Sequence, residues 1–156
     1  MEANEEKLAH VAELIQRAKD AELLGAGWAD DHGLEWLAEA YNGIGPAYLS
    51  DKLRAKLTAW LELFEPAALI DDCRKHVSDG SRLLFNFSNR EFRYNCLALA
   101  DAKYAWWHWK RYRARAVAEL LYDCVCSDAG WKAWEDAAQK RRERETASVQ
   151  QEGDQE

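Results

Sequence analysis

The stretch LLFNFSNREFRYNCLALAD, residues 83–101, indicates the fold class most directly. Its apolar residues recur at helical intervals, so that an α-helix would carry them on one face. They are Leu84, Phe85, Phe92, Cys96, Leu97 and Leu99. Neither this stretch nor the rest of the chain shows the alternation of a β-strand, and the sequence contains only 2 prolines. We therefore expect an all-α protein.

Further helices are predicted on both sides of this segment. They cover residues 4–24, 34–41, 51–64, 66–76, 104–127 and 131–144. Ser50 is typical of a helix N-cap, and Pro66 is typical of the first turn of a new helix. Residues 146–156 are polar, which predicts a disordered acidic tail. The expected architecture is a compact bundle of about six or seven helices, formed as a single domain by residues 1–145.

Length and composition favour one soluble domain. The chain has 156 residues, of which 48% are hydrophobic, enough to form a buried core. No apolar run approaches the roughly 18 residues of a membrane span, and the acidic N-terminus is unlike an export signal. We therefore expect a cytoplasmic protein whose cysteines are reduced and serve as small buried residues.

The charge is distributed unevenly. Residues 1–50 carry ten acidic and three basic side chains, so their net charge equals the −7 of the whole chain. Glu13, Asp20 and Glu22 belong to this acidic part, on the expected exposed face of the first helix and the loop after it. Such asymmetry affects the choice of partner and the association rate, and it has little bearing on the fold. We expect these three residues to contact a partner with a basic patch.

Residues 103–115 form a belt in which aromatic and basic side chains alternate. It contains Tyr104, Trp106, Trp107, Trp109 and Tyr112 together with Lys103, Lys110, Arg111, Arg113 and Arg115. Three interpretations stay open: packing in the core, a surface for a protein partner, and stacking against single-stranded nucleic acid. On a helix Trp106, Trp109 and Arg113 would share one face, so we expect some of the tryptophans in the core. Trp107 and Arg111 share another face and are the candidates for partner binding.

A second pattern concerns oxygen ligands. Tyr41-x-Gly43-x-Gly45 is a glycine-bearing loop whose backbone carbonyls can turn toward one point. Asp71 and Asp72 follow on a predicted helix, and calcium binds such combinations of carbonyls and carboxylates. The alternative is a loop that ends a helix, followed by a solvated acidic pair.

This order of parts resembles the secretory phospholipases that hydrolyse the middle ester of phospholipids, especially the short disulfide-free forms of phages and viral capsids. In that family the loop carbonyls bind calcium, a His-Asp pair on the next helix supplies the general base and a calcium ligand, and an Asp on a second antiparallel helix orients the His. The resemblance covers residues 41–96. It implies Tyr41, Gly43, Gly45 and Asp72 as calcium ligands, and it aligns residues 88–92 with the second helix.

The departures from that family concern the reaction itself. Asp71 occupies the position of the catalytic His, and Asn89 occupies the position of its orienting Asp. An aspartate, with an ordinary pKa of about 3.9, is a poor base beside histidine at about 6.5. His76 lies five residues after Asp71, about 140° around the helix, and does not take its place. The resemblance thus implies a scaffold that has lost its catalytic pair, in which calcium binding stays open.

Three function classes remain. The first is a non-catalytic interaction protein of phage or prophage type, with a protein partner and, as one interpretation, an inhibitory role against a host defence nucleoprotein complex. The second is a calcium-dependent lipid hydrolase that uses Asp71 and Asn89. The third is a nucleic-acid-binding helical domain, against which the isoelectric point of about 5.2 argues. We favour the first class and expect no cofactor.

Overall fold

The computed structural model describes residues 2–42 and 51–153, and within them the side chains of residues 4–42 and 60–148. The helices in these ranges are α1 (Glu2–Asp20), α2 (Ala26–Asp30), α3 (Leu34–Ala40), α4 (Asp51–His76), α5 (Arg82–Lys103), α6 (Trp109–Val125) and α7 (Asp128–Gly153). No strand occurs in the described ranges. The all-α class and the number of helices are therefore confirmed. None of the described helices is both long enough and apolar enough to cross a membrane.

The core lies where α1, α4, α5 and α6 meet. Its fully buried side chains include Val11, Leu14, Phe64, Leu69, Cys96 and Ala118. Along α6, Ala114 and Ala118 lie one turn apart and are both fully buried, and such small side chains let neighbouring helices approach closely. Arg93 pairs with Glu119, while Asp101, further along α5, pairs with Arg111, near the start of α6. Helices α5 and α6 are thus antiparallel, and their connection lies at one end of the bundle.

The two helices predicted around Pro66 are one continuous helix, α4. A proline inside a helix has no N–H to donate to the carbonyl four residues earlier, here that of Glu62. Arg17 of α1 donates to this carbonyl from Nη2 at 3.1 Å. The ring of Pro66 is fully buried in the core. The prediction of a new helix at Pro66 was therefore wrong, because a side chain from another helix compensates for the missing N–H.

Helix α6 begins later than the periodicity predicts. The chain leaves α5 at Tyr104, whose φ and ψ of −126° and 133° are extended, and α6 begins only at Trp109. His108 caps the new helix, because its Nδ1 accepts a hydrogen bond from the Lys110 N–H at 3.1 Å. Trp106 and Trp107 consequently lie in the connection between two helices. The assignment of these two residues to faces of a single helix was wrong.

The last helix extends beyond the predicted end of the domain. The sequence predicts a disordered tail at residues 146–156; α7 continues to Gly153, and residues 154–156 lie outside the described residues. Pairs four residues apart support it, such as Arg141 Nε with Glu145 Oε1 at 2.8 Å. The side chains of residues 142–148 are all exposed. This part of α7 therefore contributes little to the core.

Candidate functional site

Asp71 and Asp72 are buried in the second half of α4, with 5% and 7% of their surface exposed. Asp71 Oδ2 lies 2.5 Å from Lys75 Nζ, one turn further along the helix. Its Oδ1 accepts a hydrogen bond from Ser88 Oγ of α5 at 2.9 Å. The alternative prediction of a solvated acidic pair is therefore wrong. Asp71 joins α4 to α5, and a lysine compensates its charge.

Asp72 faces the beginning of the glycine-bearing loop. Its Oδ2 accepts a hydrogen bond from the backbone N–H of Asn42 at 2.8 Å. The neighbouring Tyr41 donates its hydroxyl to Glu65, which also binds His10 Nε2 at 2.8 Å. Burial and Glu65 raise the pKa of Tyr41 well above its ordinary value. Tyr41 is thus next in sequence to the residue whose backbone N–H binds Asp72.

The rest of the predicted calcium site is not described. Gly43 and Gly45 lie outside the described residues, so the carbonyls expected from them have no assigned place. Within the described ranges, no three or more His, Cys, Asp or Glu side chains are grouped so as to hold a metal ion. Calcium binding by Tyr41, Gly43, Gly45 and Asp72 therefore stays a prediction.

Asn89 does not form a pair with Asp71. Its side chain is 2% exposed, and Nδ2 points to the carbonyl of Val125 on α6 at 3.5 Å. His76 packs against Trp36 at 5.2 Å between ring centroids, with Nε2 3.8 Å from Glu39 Oε1. Burial, followed by the nearby Arg144, lowers the pKa of His76. Asp71 thus contacts Ser88, and both Asn89 and His76 are engaged elsewhere.

The aromatic belt provides the most exposed aromatic side chains among the described residues. Trp106 and Trp107 are each 69% exposed, Trp109 is 57% exposed and Tyr112 is 62% exposed. The expectation that some of these tryptophans belong to the core was therefore wrong. Lys110 Nζ and the Arg113 guanidinium lie 5.9 and 5.4 Å from the centre of the Trp109 ring. We call these six residues the tryptophan surface.

Two arginines of α6 attach the segment that carries this surface to α5. Asp101, near the end of α5, binds Arg111 Nε at 2.7 Å and Arg115 Nη1 at 2.6 Å, both on α6. These arginines, Arg111 first, lower the pKa of Asp101 below its ordinary value. Arg111 was predicted to bind a partner, yet its side chain is only 24% exposed and is engaged by Asp101. Arg111 therefore positions the tryptophan surface, and Trp107 belongs to it.

The acidic part of the chain is exposed as expected. Glu13 has 66% of its side chain exposed and lies 4.0 Å from Arg17, and Asp20 accepts a hydrogen bond from Gln16 at 2.7 Å. Glu22 is exposed and has the unusual φ of 51°. In the same part of the chain two leucines are exposed, Leu24 at 47% and Leu34 at 38%. We call the following set the acidic surface: Asp20, Glu22, Leu24, Asp31, Leu34 and Glu35.

Asn95 fixes the acidic surface to the bundle. Its side chain is fully buried, its Oδ1 accepts from the Leu24 N–H at 2.8 Å, and its Nδ2 donates to the Leu24 carbonyl at 2.9 Å. Gly25 follows with a φ of 81°, and a Cβ there would lie 2.6 Å from Glu91 Oε1. Neither contact can be predicted from the sequence, since no local pattern links residues 24 and 25 to α5. The contacts of Asp101 were not predicted either, although arginines at helical spacing follow it.

Comparison with known proteins gives no relative. No protein-family model, curated protein or solved structure matches the chain. The geometry of the chain's own residues is therefore the basis for a functional proposal.

Proposed function

We propose that the protein acts by binding a macromolecular partner and that the tryptophan surface is the anchor of that interface. The observation that supports this is the exposure of Trp106, Trp107, Trp109 and Tyr112 at the connection between α5 and α6. Tryptophan, tyrosine and arginine are the residues that most often dominate the energy of protein interfaces. All four rings are more than half exposed, so most of their surface is free to contact a partner.

The size of this surface supports the same proposal. An aromatic side chain has about 150–250 Å² to bury, so four that are more than half exposed offer roughly 400–600 Å². That equals the largest apolar patch of a typical monomer, about 300–600 Å², and such patches are often functional. The Asp101 contacts hold the connection in place before any partner arrives. Less conformational entropy is then lost on binding.

We further propose that the acidic residues of α1 and the following turn speed the approach of a partner with a basic patch. Glu13, Asp20 and Glu22 are all exposed, and the first 50 residues contain an excess of seven negative charges. Charges at the rim of an interface mainly change the association rate and are screened by salt. A protein that holds nucleic acid in a basic groove fits this chemistry, and a nucleoprotein complex of a bacterial host is the partner that we propose.

The test is capture of the partner from a bacterial host lysate with immobilised protein. The wild type should retain a partner that the Trp106→Ala, Trp107→Ala double variant does not retain. The matched control is Tyr94→Ala, which removes a ring that is 56% exposed on α5, outside the tryptophan surface. Equal retention by all three proteins would rule out the tryptophan surface as the anchor.

Single-stranded nucleic acid is a second candidate ligand for the same surface. Two cations lie close to the ring of Trp109, and such a combination allows base stacking beside a phosphate contact. The net charge of −7 opposes it. Anisotropy of a labelled poly(dT) oligonucleotide at low salt distinguishes the two, since a protein-binding surface leaves the signal unchanged.

Our proposal includes the loss of any lipid hydrolysis. The phospholipase-like reaction needs a general base, and in this chain Asp71 is bound by Lys75 and Ser88. We expect no turnover of mixed phospholipid micelles with or without calcium. Calcium-dependent turnover by the wild type that the Asp72→Ala variant lacks would show that the hydrolase alternative is correct.

A further inference from the structure

Two surfaces of this chain have opposite chemistry. Residues 103–113 carry Lys103, Lys110 and Arg113, together with Arg111, which is paired with Asp101, and the tryptophan surface lies among them. Residues 20–35 carry Asp20, Glu22, Asp31 and Glu35, together with Asp30, whose charge is compensated by Lys19 Nζ at 2.6 Å. Each surface also contains exposed apolar side chains: indoles in the first, and Leu24 and Leu34 in the second. The tryptophan surface is thus aromatic and cationic, whereas the acidic surface is aliphatic and anionic.

From this complementarity we infer that the tryptophan surface of one copy binds the acidic surface of a second copy. The inference rests on the proposed binding role of the tryptophan surface and names a further occupant for it. Opposite charges favour the encounter, and the leucines give the rings an apolar contact from which water is excluded. Like surfaces repel each other, so the contact joins two different surfaces, head to tail.

The arrangement in the fold allows one copy to use both surfaces at once. The acidic surface belongs to the end of α1, α2 and the start of α3, whereas the tryptophan surface belongs to the α5–α6 connection and the first turn of α6. They share no residue. A head-to-tail contact of this kind either closes into a ring or continues as an open chain. It also occupies the tryptophan surface, so self-association competes with any other partner.

Charge reversal provides a direct test. One variant carries Lys110→Glu and Arg113→Glu, and the other carries Asp20→Lys and Glu22→Lys. Each should keep its fold, because glutamate suits the N-terminal end of α6 and lysine suits the C-terminal end of α1. Far-ultraviolet circular dichroism verifies this. The matched control is Lys132→Glu with Lys140→Glu, which makes the same charge change at exposed sites of α7.

The readout is the mass in solution, by sedimentation velocity at about 50 mM and about 1 M salt. Wild type and control should exceed the monomer mass of 17.9 kDa at low salt and return to it at high salt. For each reversal variant alone, the dissociation constant of self-association should be at least about tenfold higher than for the wild type. An equal mixture of the two should associate again, because the unaltered acidic surface of one copy can then bind the unaltered tryptophan surface of the other.

Two results overturn the inference. One is a wild type of 17.9 kDa at low salt, including the case in which a poly(dT) oligonucleotide binds the tryptophan surface instead. The other is association that either reversal variant retains or that the mixture does not restore. Neither result affects the capture of a host partner by the tryptophan surface, which is measured separately with the Trp106→Ala, Trp107→Ala double variant.

Discussion

Asp71 has a carboxylate of the kind that catalytic sites use, but its place in the fold gives it a structural role. The carboxylate sits between α4 and α5, where Lys75 and Ser88 together provide a charge and a hydroxyl donor. A buried ionisable group costs free energy unless such partners are present. A general base of a hydrolase needs access to water and substrate. Here the side chain is 4% exposed and serves to hold two helices together.

Replacing Asp71 by alanine should therefore lower stability markedly. The variant removes the partner of an ion pair whose side chains are only 4% and 17% exposed, and it leaves Ser88 Oγ without its acceptor. Breaking one half of such a buried pair costs about 3–5 kcal/mol. Urea unfolding measures the loss. Asp123→Ala, at an exposed position of α6, is the control and should change the unfolding free energy by less than about 0.5 kcal/mol. A similar small change for Asp71→Ala contradicts the structural role.

At the scale of elements, Pro66 explains why the helix boundaries were only partly predictable. Its position in the sequence is that of a helix start, and the local pattern contains nothing against it. The compensation comes from Arg17, which is distant in sequence and meets the Glu62 carbonyl only in the folded chain. Local periodicity predicted which segments are helical, because that depends on neighbours along the chain. Compensating contacts depend on the tertiary fold.

The same distinction applies to the candidate site. The sequence identified the aromatic belt, the acidic N-terminal part and the two adjacent aspartates as the unusual segments. It could not tell whether the tryptophans are buried, because a run of aromatic residues fits a core as well as a surface. The extended backbone at Tyr104 decides this by placing Trp106 and Trp107 outside both helices. It could not identify Arg111 as a positioning residue either, since its partner lies on the preceding helix.

A double-mutant cycle tests the compensation in α4. Arg17→Met in the wild type leaves the Glu62 carbonyl without its donor and should cost about 1 kcal/mol of unfolding free energy. In a Pro66→Ala background, the new N–H of residue 66 can satisfy that carbonyl, so Arg17→Met should cost clearly less. Guanidinium unfolding of the four proteins gives the coupling. Equal costs in both backgrounds mean that Arg17 does not replace the missing N–H.

Asp101 makes the folding stability depend on pH through its contacts between α5 and α6. Its pKa in the folded protein is lowered from 3.8, chiefly by Arg111, so its contribution to stability is present at neutral pH and is lost as the pH falls through the lowered pKa. Asp101→Asn should therefore be less stable than the wild type at about pH 7, and the difference should shrink below about pH 4. Thermal unfolding across this range measures it. Asp123→Asn, the exposed control, should show a smaller trend, and a constant difference for Asp101→Asn would contradict a role of the Asp101 carboxylate in joining α5 to α6.

At the scale of the whole molecule, we propose that different residues control how fast a partner associates and how long it stays bound. The acidic residues lie on α1 and the turn that follows, whereas the rings lie at the α5–α6 connection. Long-range attraction depends on charge and weakens as salt screens it, because the Debye length falls from about 10 Å at 0.1 M to about 3 Å at 1 M. Retention depends on desolvated apolar contact, which salt hardly weakens. Salt and charge reversal should consequently change mainly the association rate constant, and removal of the rings should change mainly the dissociation rate constant.

Reversal of the acidic charges should slow binding of the captured partner. One triple variant carries Glu13→Lys, Asp20→Lys and Glu22→Lys. We expect its association rate constant to fall at least about tenfold at low salt and to approach that of the wild type at high salt. The control, Glu135→Lys, Asp136→Lys, Glu143→Lys, makes the same change of net charge on exposed sites of α7. It should have a clearly smaller effect. Equal slowing by both triple variants would mean that net charge alone matters.

The most direct test of the binding proposal is the dissociation rate constant of the captured partner from the immobilised protein. For the Trp106→Ala, Trp107→Ala variant we predict a rate at least about 100-fold higher than for the wild type, because two anchor residues of about 2 kcal/mol or more are removed. The association rate constant should change by less than about threefold, and Tyr94→Ala should leave both constants near the wild-type values. A dissociation rate of the double variant equal to that of the wild type would contradict the claim that the tryptophan surface anchors the complex.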